Sequence, residues 1–388
     1  MTEFFLAGVD PEPLALILQI FAVLVGASVG SFLNVCIYRI PIEGLGVSSP
    51  SGSFCPGCKK PLRWFENIPI LAWLGLKGRC SGCKMRISFR YPFVEGLTAL
   101  FFLWAMLRIG GEPFFVDPLG ESGALLLGSW IWISLVIVVS GIDFDHRIIP
   151  DGLSVSATAL MLLLAPWNSL LPGTATIDTS QGLFWGAALI GGALFGIVFQ
   201  RFVPSWSGQR RTLAESYLAY VVGALSGYFA AGFIFGSLDL NELLAYRSVE
   251  SLLGAAAGAG LIWGIGLIGS WVFRKPAMGF GDVKLMAMIG AYVGWQGSLL
   301  TLFLGCVFGS VVGVALMLRS GHTARIPFGP YLAMGALVAL FGQKTLLTVI
   351  FVDWPEWQRR HPSSMVVVLF VGVAALISLL WLIRRGRR

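Results

Sequence analysis

Two short stretches place aspartates where an apolar run meets polar sequence. Met278–Lys284 reads Met-Gly-Phe-Gly-Asp-Val-Lys, and its Asp282 opens a hydrophobic segment of about membrane depth. Gly141–Asp151 reads Gly-Ile-Asp-Phe-Asp-His-Arg-Ile-Ile-Pro-Asp, so Asp143 and Asp145 close an earlier one. A carboxylate at the mouth of a membrane helix is costly, which makes it a functional candidate. General acid–base chemistry needs one group to take a proton and another to give one. Two adjoining carboxyls supply both if they share one proton, because like charges close together cannot both ionise. Asp282 with either Asp143 or Asp145 is the candidate pair.

The neighbours have plainer readings. Asp is a favoured helix N-cap, so Asp282 taken alone reads equally as a cap. Gly279 and Gly281 permit close backbone approach and unusual dihedrals. Asp151 is expected to begin the helix after Pro150. Lys284, two positions beyond Asp282, does not face it on a helix and is expected among lipid headgroups. His146 and His322 fall near the same interface as solvated side chains, without the partner pattern of a Ser–His or Cys–His nucleophile.

A second chemistry is written in cysteine. Cys55-Pro-Gly-Cys58 and Cys80-Ser-Gly-Cys83 are separated by 21 residues. Two such knuckles suit a tetrahedral zinc site made of four cysteines, each turn offering two thiolates and the intervening chain closing the loop. A closed site of this kind is structural, since no coordination position is left for a substrate. The competing readings are two disulfides or a redox dithiol, and a reducing cytoplasm disfavours the first. Cys36 and Cys306 lie inside apolar segments and are expected to pack.

These stretches must be positioned by membrane helices. The chain has 388 residues, 56% hydrophobic and only 12% charged, where a soluble domain would carry about a quarter charged. Its formal charge of +7 is clustered between and after apolar runs, a mark of topology rather than of nucleic-acid binding. The first thirteen residues contain no Lys or Arg, so no cleavable signal peptide is expected. The loop from Arg39 to Arg90 holds nine Lys or Arg against Glu43 and Glu66, which puts it in the cytoplasm and the N-terminus outside. Apolar runs then alternate as spans: Leu14–Ile37, Pro92–Leu107, Ala124–Ile142, Leu153–Pro166, Gly182–Phe199, Ala214–Gly236, Leu252–Phe273, Val283–Trp295, Gly297–Leu318, Pro327–Leu340 and Met365–Ile383. The eighth and ninth read as a hairpin turning at Gln296-Gly297. The fold class is therefore an all-α polytopic membrane protein of about eleven transmembrane helices with a small cytoplasmic zinc-binding loop domain. Asp143 and Asp282 fall on one face, 139 positions apart, so only helix packing can join them. Small residues at Gly254–Gly260, Gly264, Gly266 and Gly269 suit close packing in lipid.

Together these residues resemble a known family. Gly30-Ser-Phe-Leu-Asn-Val-Cys-Ile-Tyr-Arg-Ile-Pro41, the two CxxC pairs around Asn67-Ile-Pro69, Arg90-Tyr-Pro92 with Glu95, Asp143…Pro150-Asp151, Gly279-Phe-Gly-Asp282 and Ile326-Pro-Phe-Gly-Pro330 occur in the order of the prepilin peptidases, over about residues 14–165 and 250–340. The resemblance implies a bacterial inner-membrane aspartic endopeptidase with Asp143 and Asp282 as its catalytic pair. Its substrates would be prepilins and pseudopilins, cut after a leader glycine on the cytoplasmic side. Members with the cysteine-bearing loop also methylate the new N-terminus from S-adenosylmethionine; no donor-binding motif is visible here. The implied division is a first transmembrane helix (1–38), a cytoplasmic four-cysteine zinc domain with the methyltransferase (39–91), the peptidase core in two parts (92–166 and 251–342), an inserted helical hairpin (167–250) and an extension with one more span (343–388). The alternatives are a peptidase with only a structural zinc lid, a catalytically inert scaffold of a secretion complex, and a proton-coupled transporter. A transporter would set its carboxylates near mid-membrane between repeats, and none is apparent.

Overall fold

The structure, a computed structural model, describes residues 11–42, 45–48, 52–109, 121–165, 168, 170–171, 247–275, 278–320 and 326–361. The described helices are α1 (Pro11–Arg39), the short α2 (Leu71–Gly75), α3 (Arg90–Ile109), α4 (Glu121–His146), α5 (Asp151–Leu164), α6 (Arg247–Phe273), α7 (Phe280–Ser320), α8 (Gly329–Thr348) and α9 (Trp354–Arg360). Among the described residues, six helical stretches are long and apolar enough to cross a membrane, and Asp151–Leu164 is a shorter apolar one. Eight of the eleven expected spans coincide with these helices, α7 accounting for two. Gly182–Phe199, Ala214–Gly236 and Met365–Ile383 lie outside the described residues, as does most of the expected insertion.

The chain forms two compact units, Met1–Trp295 and Gln296–Arg388. In the first, α1 is apolar on all sides, and Leu16, Ile17, Ile20, Phe21 and Leu24 remain more than half exposed, a surface suited to lipid. Its other side lies along α3. A Cβ at Gly30 would come within 2.7 Å of the Glu95 Cα, so the two backbones meet only because no side chain intervenes. Asn34 fixes the register of the crossing: its Nδ2 donates to the carbonyls of Gly30 and Tyr91, at 3.2 and 3.1 Å. Both helices pack on α4, where the Trp130 ring stacks on Phe102 at 4.8 Å and its Nε1 donates to the Phe102 carbonyl.

Helix α7 joins this unit through Tyr292. Its hydroxyl pairs with Ser129 of α4 at 3.0 Å and its ring stacks on Trp132 at 5.4 Å. Two residues on, Gly294 breaks the helix with φ 77° and ψ 178°, a region essentially confined to glycine. The break thus precedes the expected turn at Gln296-Gly297. Because the interruption frees carbonyls, side chains answer them: Asn168 Nδ2 donates to Tyr292 O at 2.7 Å and the Ser251 hydroxyl to Ala291 O. In the second unit, the distal part of α7 runs against α8, where a Cβ on Gly335 would meet the Thr301 carbonyl at 2.5 Å. Cys306 is exposed there rather than packed.

Among the small residues of α6, only some serve packing. A Cβ at Gly254 would lie 2.1 Å from Gly290 O, whereas Gly260 and Gly264 face open space among the described residues. Gly254→Val is therefore expected to lower the thermal stability of the detergent-solubilised protein by about 1–3 kcal/mol through forced separation of α6 and α7. Gly264→Val should change it by less than about 0.5 kcal/mol. Equal effects from the two substitutions would contradict this helix contact.

Candidate functional site

Asp143 sits in the last turn of α4, only 7% exposed. The helix ends just beyond it: Arg147 adopts φ 56° and its N–H donates to the Asp143 carbonyl at 2.8 Å, the αL ending that satisfies an orphan carbonyl. The chain then extends through Pro150, which precedes the first residue of α5 at Asp151, as expected for that aspartate. Asp282 lies in the first turn of α7, whose first helical residue is Phe280, and so within the helix rather than at its cap. Neither Gly279 nor Gly281 takes a positive φ; their value is in the space they leave.

That space brings the two aspartate stretches together. A Cβ on Gly281 would meet the Ile149 Cβ at 3.0 Å, so the Gly-x-Gly turn rests directly on the link between α4 and α5. Lys284 and Asp151 form a salt bridge across the same contact, both side chains mostly buried. Lys284 also lies 4.8 Å from the Phe280 ring centroid. Its expected place among headgroups is corrected: a carboxylate fixed at the start of α5 offers a partly desolvated ammonium a closer partner than lipid. The Asp143 and Asp282 carboxyls lie within electrostatic reach of each other. Asp145, the alternative at the first position, is exposed and turned to a salt bridge with Arg90 of α3. His146 is exposed, as expected, and His322 lies outside the described residues.

The cysteine loop closes as two matching knuckles. Phe54 bridges Pro61 and Arg79 bridges Arg86 in antiparallel pairs, with Lys59 and Lys84 at positive φ after each second cysteine. Each turn repeats the same bonds: Cys55 N–H to Lys60 O at 2.9 Å, and Cys80 N–H to Met85 O at 2.9 Å. The four Sγ atoms lie within 4.8 Å of one another, Cys55 to Cys83 at 3.8 Å and Cys58 to Cys80 at 3.9 Å. None of these is a disulfide, whose sulfurs would stand about 2.05 Å apart. A tetrahedron with Zn–S bonds of ~2.3 Å has edges of ~3.8 Å, so the donor set fits that metal. Backbone N–H groups of Cys83 and Gly82 draw the Cys80 thiol down to about 6, and that of Lys60 draws the Cys58 thiol below its usual range.

Glu66 braces the two knuckles. It accepts from the Arg63 N–H at 2.9 Å and pairs with Lys60 at 3.4 Å, while Lys60 donates to Ser81 at 2.8 Å. The Arg63 N–H, with the Ser81 hydroxyl and Lys60, holds its carboxyl down to about 2. The braces at Glu66, Lys284 and Arg90 were not foreseen from sequence, because each joins residues from separate turns or helices. The one local signal was charge: Arg90 and Asp145 both interrupt the ends of apolar segments.

This arrangement brings two aspartate-bearing stretches together at one end of a helix bundle and sets four thiols at the spacing of a metal site. Comparison with known proteins gives the family. Residues 24–109 match the family model described as the bacterial peptidase A24 N-terminal domain, and residues 218–314 that of the type IV leader peptidase family. Proteins named prepilin leader peptidase/N-methyltransferase are similar over most of the chain. That of Aeromonas hydrophila is 31% identical over 340 residues, 80% of this chain and 86% of its own. That of Stutzerimonas stutzeri is 31% identical over 352 residues, 85% and 91% respectively. The Klebsiella pneumoniae protein is 33% identical over 294 residues, 73% and 89%. No solved structure is a significant match.

The contact between the two aspartate stretches is open to a direct check that needs no assay. In an Ile149→Cys, Gly281→Cys protein, the introduced sulfurs should join on mild oxidation, since disulfide Cβ atoms stand about 3.5–4.5 Å apart and these begin at 3.0 Å. Mass spectrometry of the digest should find the linked peptides. Their absence, with each single variant still reactive to a maleimide, would mean that the two stretches do not touch.

Proposed function

Because the chain belongs to the type IV leader peptidase family, we propose that it is an aspartic endopeptidase of the bacterial inner membrane. It cleaves the leader from type IV prepilins and pseudopilins at the cytoplasmic face and then methylates the new N-terminus. The observation that carries the reading is the meeting of the Asp143 and Asp282 stretches across 139 positions, with Gly281 on Ile149 and Lys284 on Asp151.

In the mechanism, one carboxylate takes the proton of a water as its oxygen attacks the scissile carbonyl. The other carboxyl, protonated, donates to the carbonyl oxygen and later protons pass to the leaving nitrogen. Asp145 has no part in this; its salt bridge to Arg90 ties the end of α4 to the start of α3. The cytoplasmic side follows from the basic loop at 39–91, and the N-terminus is then periplasmic.

Cys55, Cys58, Cys80 and Cys83 would hold one zinc ion, whose contribution is to fold the loop. S-adenosylmethionine supplies a methyl group already activated on a sulfonium. The protein's share is to hold donor and amine together and keep the amine unprotonated. The 39–91 loop, with α3 beneath it, is assigned this second activity. The 92–166 and 251–342 segments form the peptidase core, and the 167–250 and 343–388 segments add spans to it.

Two experiments test the reading. Asp143→Asn and Asp282→Asn should each lower cleavage of a synthetic prepilin by about a thousandfold or more while the protein stays folded, since Asn keeps the shape but carries no transferable proton. Asp145→Asn should keep substantial activity. Near-normal cleavage by either of the first two would sink the dyad.

The second experiment separates the metal from the peptidase. Elemental analysis should find one zinc per chain in the wild type and none in a Cys80→Ser, Cys83→Ser protein, which should also lose methyl transfer from labelled S-adenosylmethionine while still cutting. Equal metal in both proteins would refute the site. Clean cleavage with no label transferred by the wild type would leave a peptidase with a zinc lid.

A further inference from the structure

Between the cysteine loop and the bundle lies a cavity of about 550 Å³, within the range of small-molecule sites. Its walls come from the end of α1, the knuckles, α2, the start of α3 and the end of α4. It is therefore a neighbour of the Asp143 turn without being part of it. Two of the lining residues each carry a buried polar atom without a hydrogen-bond partner: Asn34 Oδ1 and Arg90 Nε. Asn34 is only 2% exposed, and leaving such an acceptor unpaired costs free energy. The Asn34 amide donates to the carbonyl of Tyr91, the residue after Arg90, so both orphans flank the crossing of α1 and α3.

One atom wants a donor and the other an acceptor, and their residues belong to the same helix crossing. An α-amino-acid end offers both, an ammonium and a carboxylate. Glu95 adds to the polarity: its carboxylate lines the cavity, held by the Ile70 N–H at 2.7 Å and by the Ser31 hydroxyl. Ile70 supplies that N–H from a γ-turn of positive φ, at 61°, a strained conformation for a β-branched residue. Strain of this kind persists where surrounding structure demands it, often at ligand sites. The remaining lining includes the rings of Tyr38, Trp73 and Tyr91, surfaces on which a flat heterocycle can lie.

We propose that this cavity is the methyl-donor site. The amino-acid end of S-adenosylmethionine sits at the crossing of α1 and α3, where Asn34 Oδ1 accepts from the ammonium and Arg90 Nε donates to the carboxylate. The proposal rests on the methyltransferase reading above. A guanidinium favours a carboxylate over the amide carbonyl that a peptide N-terminus would present. The volume suits a small molecule, and its lining at Phe144 and Asp145 adjoins the turn that carries Asp143.

The test compares two probes on the full-length protein in detergent. S-adenosylhomocysteine carries the amino-acid end; 5′-methylthioadenosine keeps the nucleoside and thioether without it. By calorimetry, Asn34→Leu and Arg90→Lys should each weaken S-adenosylhomocysteine by about tenfold or more. Both should leave methylthioadenosine within about twofold of wild type. Lysine preserves the charge opposite Asp145 but not the guanidinium fork, which covers the case that Asn34→Leu fails to fold. Equal weakening of both probes, or of neither, overturns the assignment. So does an N-terminally free pilin peptide whose binding alone depends on Asn34, since the corner would then hold the acceptor. If the wild type transfers label from S-adenosylmethionine but the variants keep normal affinity, only the site is wrong. If the wild type neither binds these nucleosides nor transfers a methyl group, the methyltransferase reading falls and the site with it.

Discussion

Two carboxyl groups 139 positions apart meet only if two helix ends are held together in a solvent that does not push helices together. Lipid is as apolar as the side chains it would surround, so association depends on close contact and on polar pairing. Both occur here within a few residues of the acids. Gly281 lets the turn before α7 rest on Ile149, and Lys284 bonds to Asp151 beside it. The contact persists along α7, where Gly254 of α6 admits the Gly290 carbonyl and Tyr292 reaches Ser129 of α4. Remove the side-chain-free positions and the acids separate, whatever their own chemistry.

The cysteine loop solves the opposite problem. It has few buried apolar residues, so it cannot fold as a bilayer helix or as an ordinary core. Its order comes from backbone bonds repeated in each knuckle and from Glu66, which accepts from the Arg63 N–H and pairs with Lys60, itself bonded to Ser81. A metal bound by four thiolates adds folding free energy to a loop otherwise held by polar contacts.

Much of this was legible in the chain because the chemistry restricts residue types. The CxxC pairs are read from spacing, and their sulfurs converge as that spacing requires. Eight spans are read from apolar length, and acids at the ends of two such runs mark stretches that meet at Gly281 and Ile149. What was not legible depends on distant partners. Lys284 stands beside Asp282 in sequence, and only the arrival of α5 turns it toward Asp151. Asp145 follows Asp143 by two positions, and only the arrival of α3 shows that it pairs with Arg90. The interruption of α7 was expected at Gln296-Gly297 but falls at Gly294. Several glycines in that stretch permit a break, and the choice lies with Asn168 and Ser251, which answer the freed carbonyls.

The position of that interruption also sets a length. From Phe280 to the break, α7 rises about 21 Å at ~1.5 Å per residue, against a hydrocarbon core of ~30 Å. The arm that carries Asp282 is thus too short to match a full-thickness bilayer. Mismatch of this size is met by thinning the membrane beside the short helix or by snorkelling of its flanking side chains. Either response brings the aqueous boundary toward the foot of the arm, where Asp282 lies.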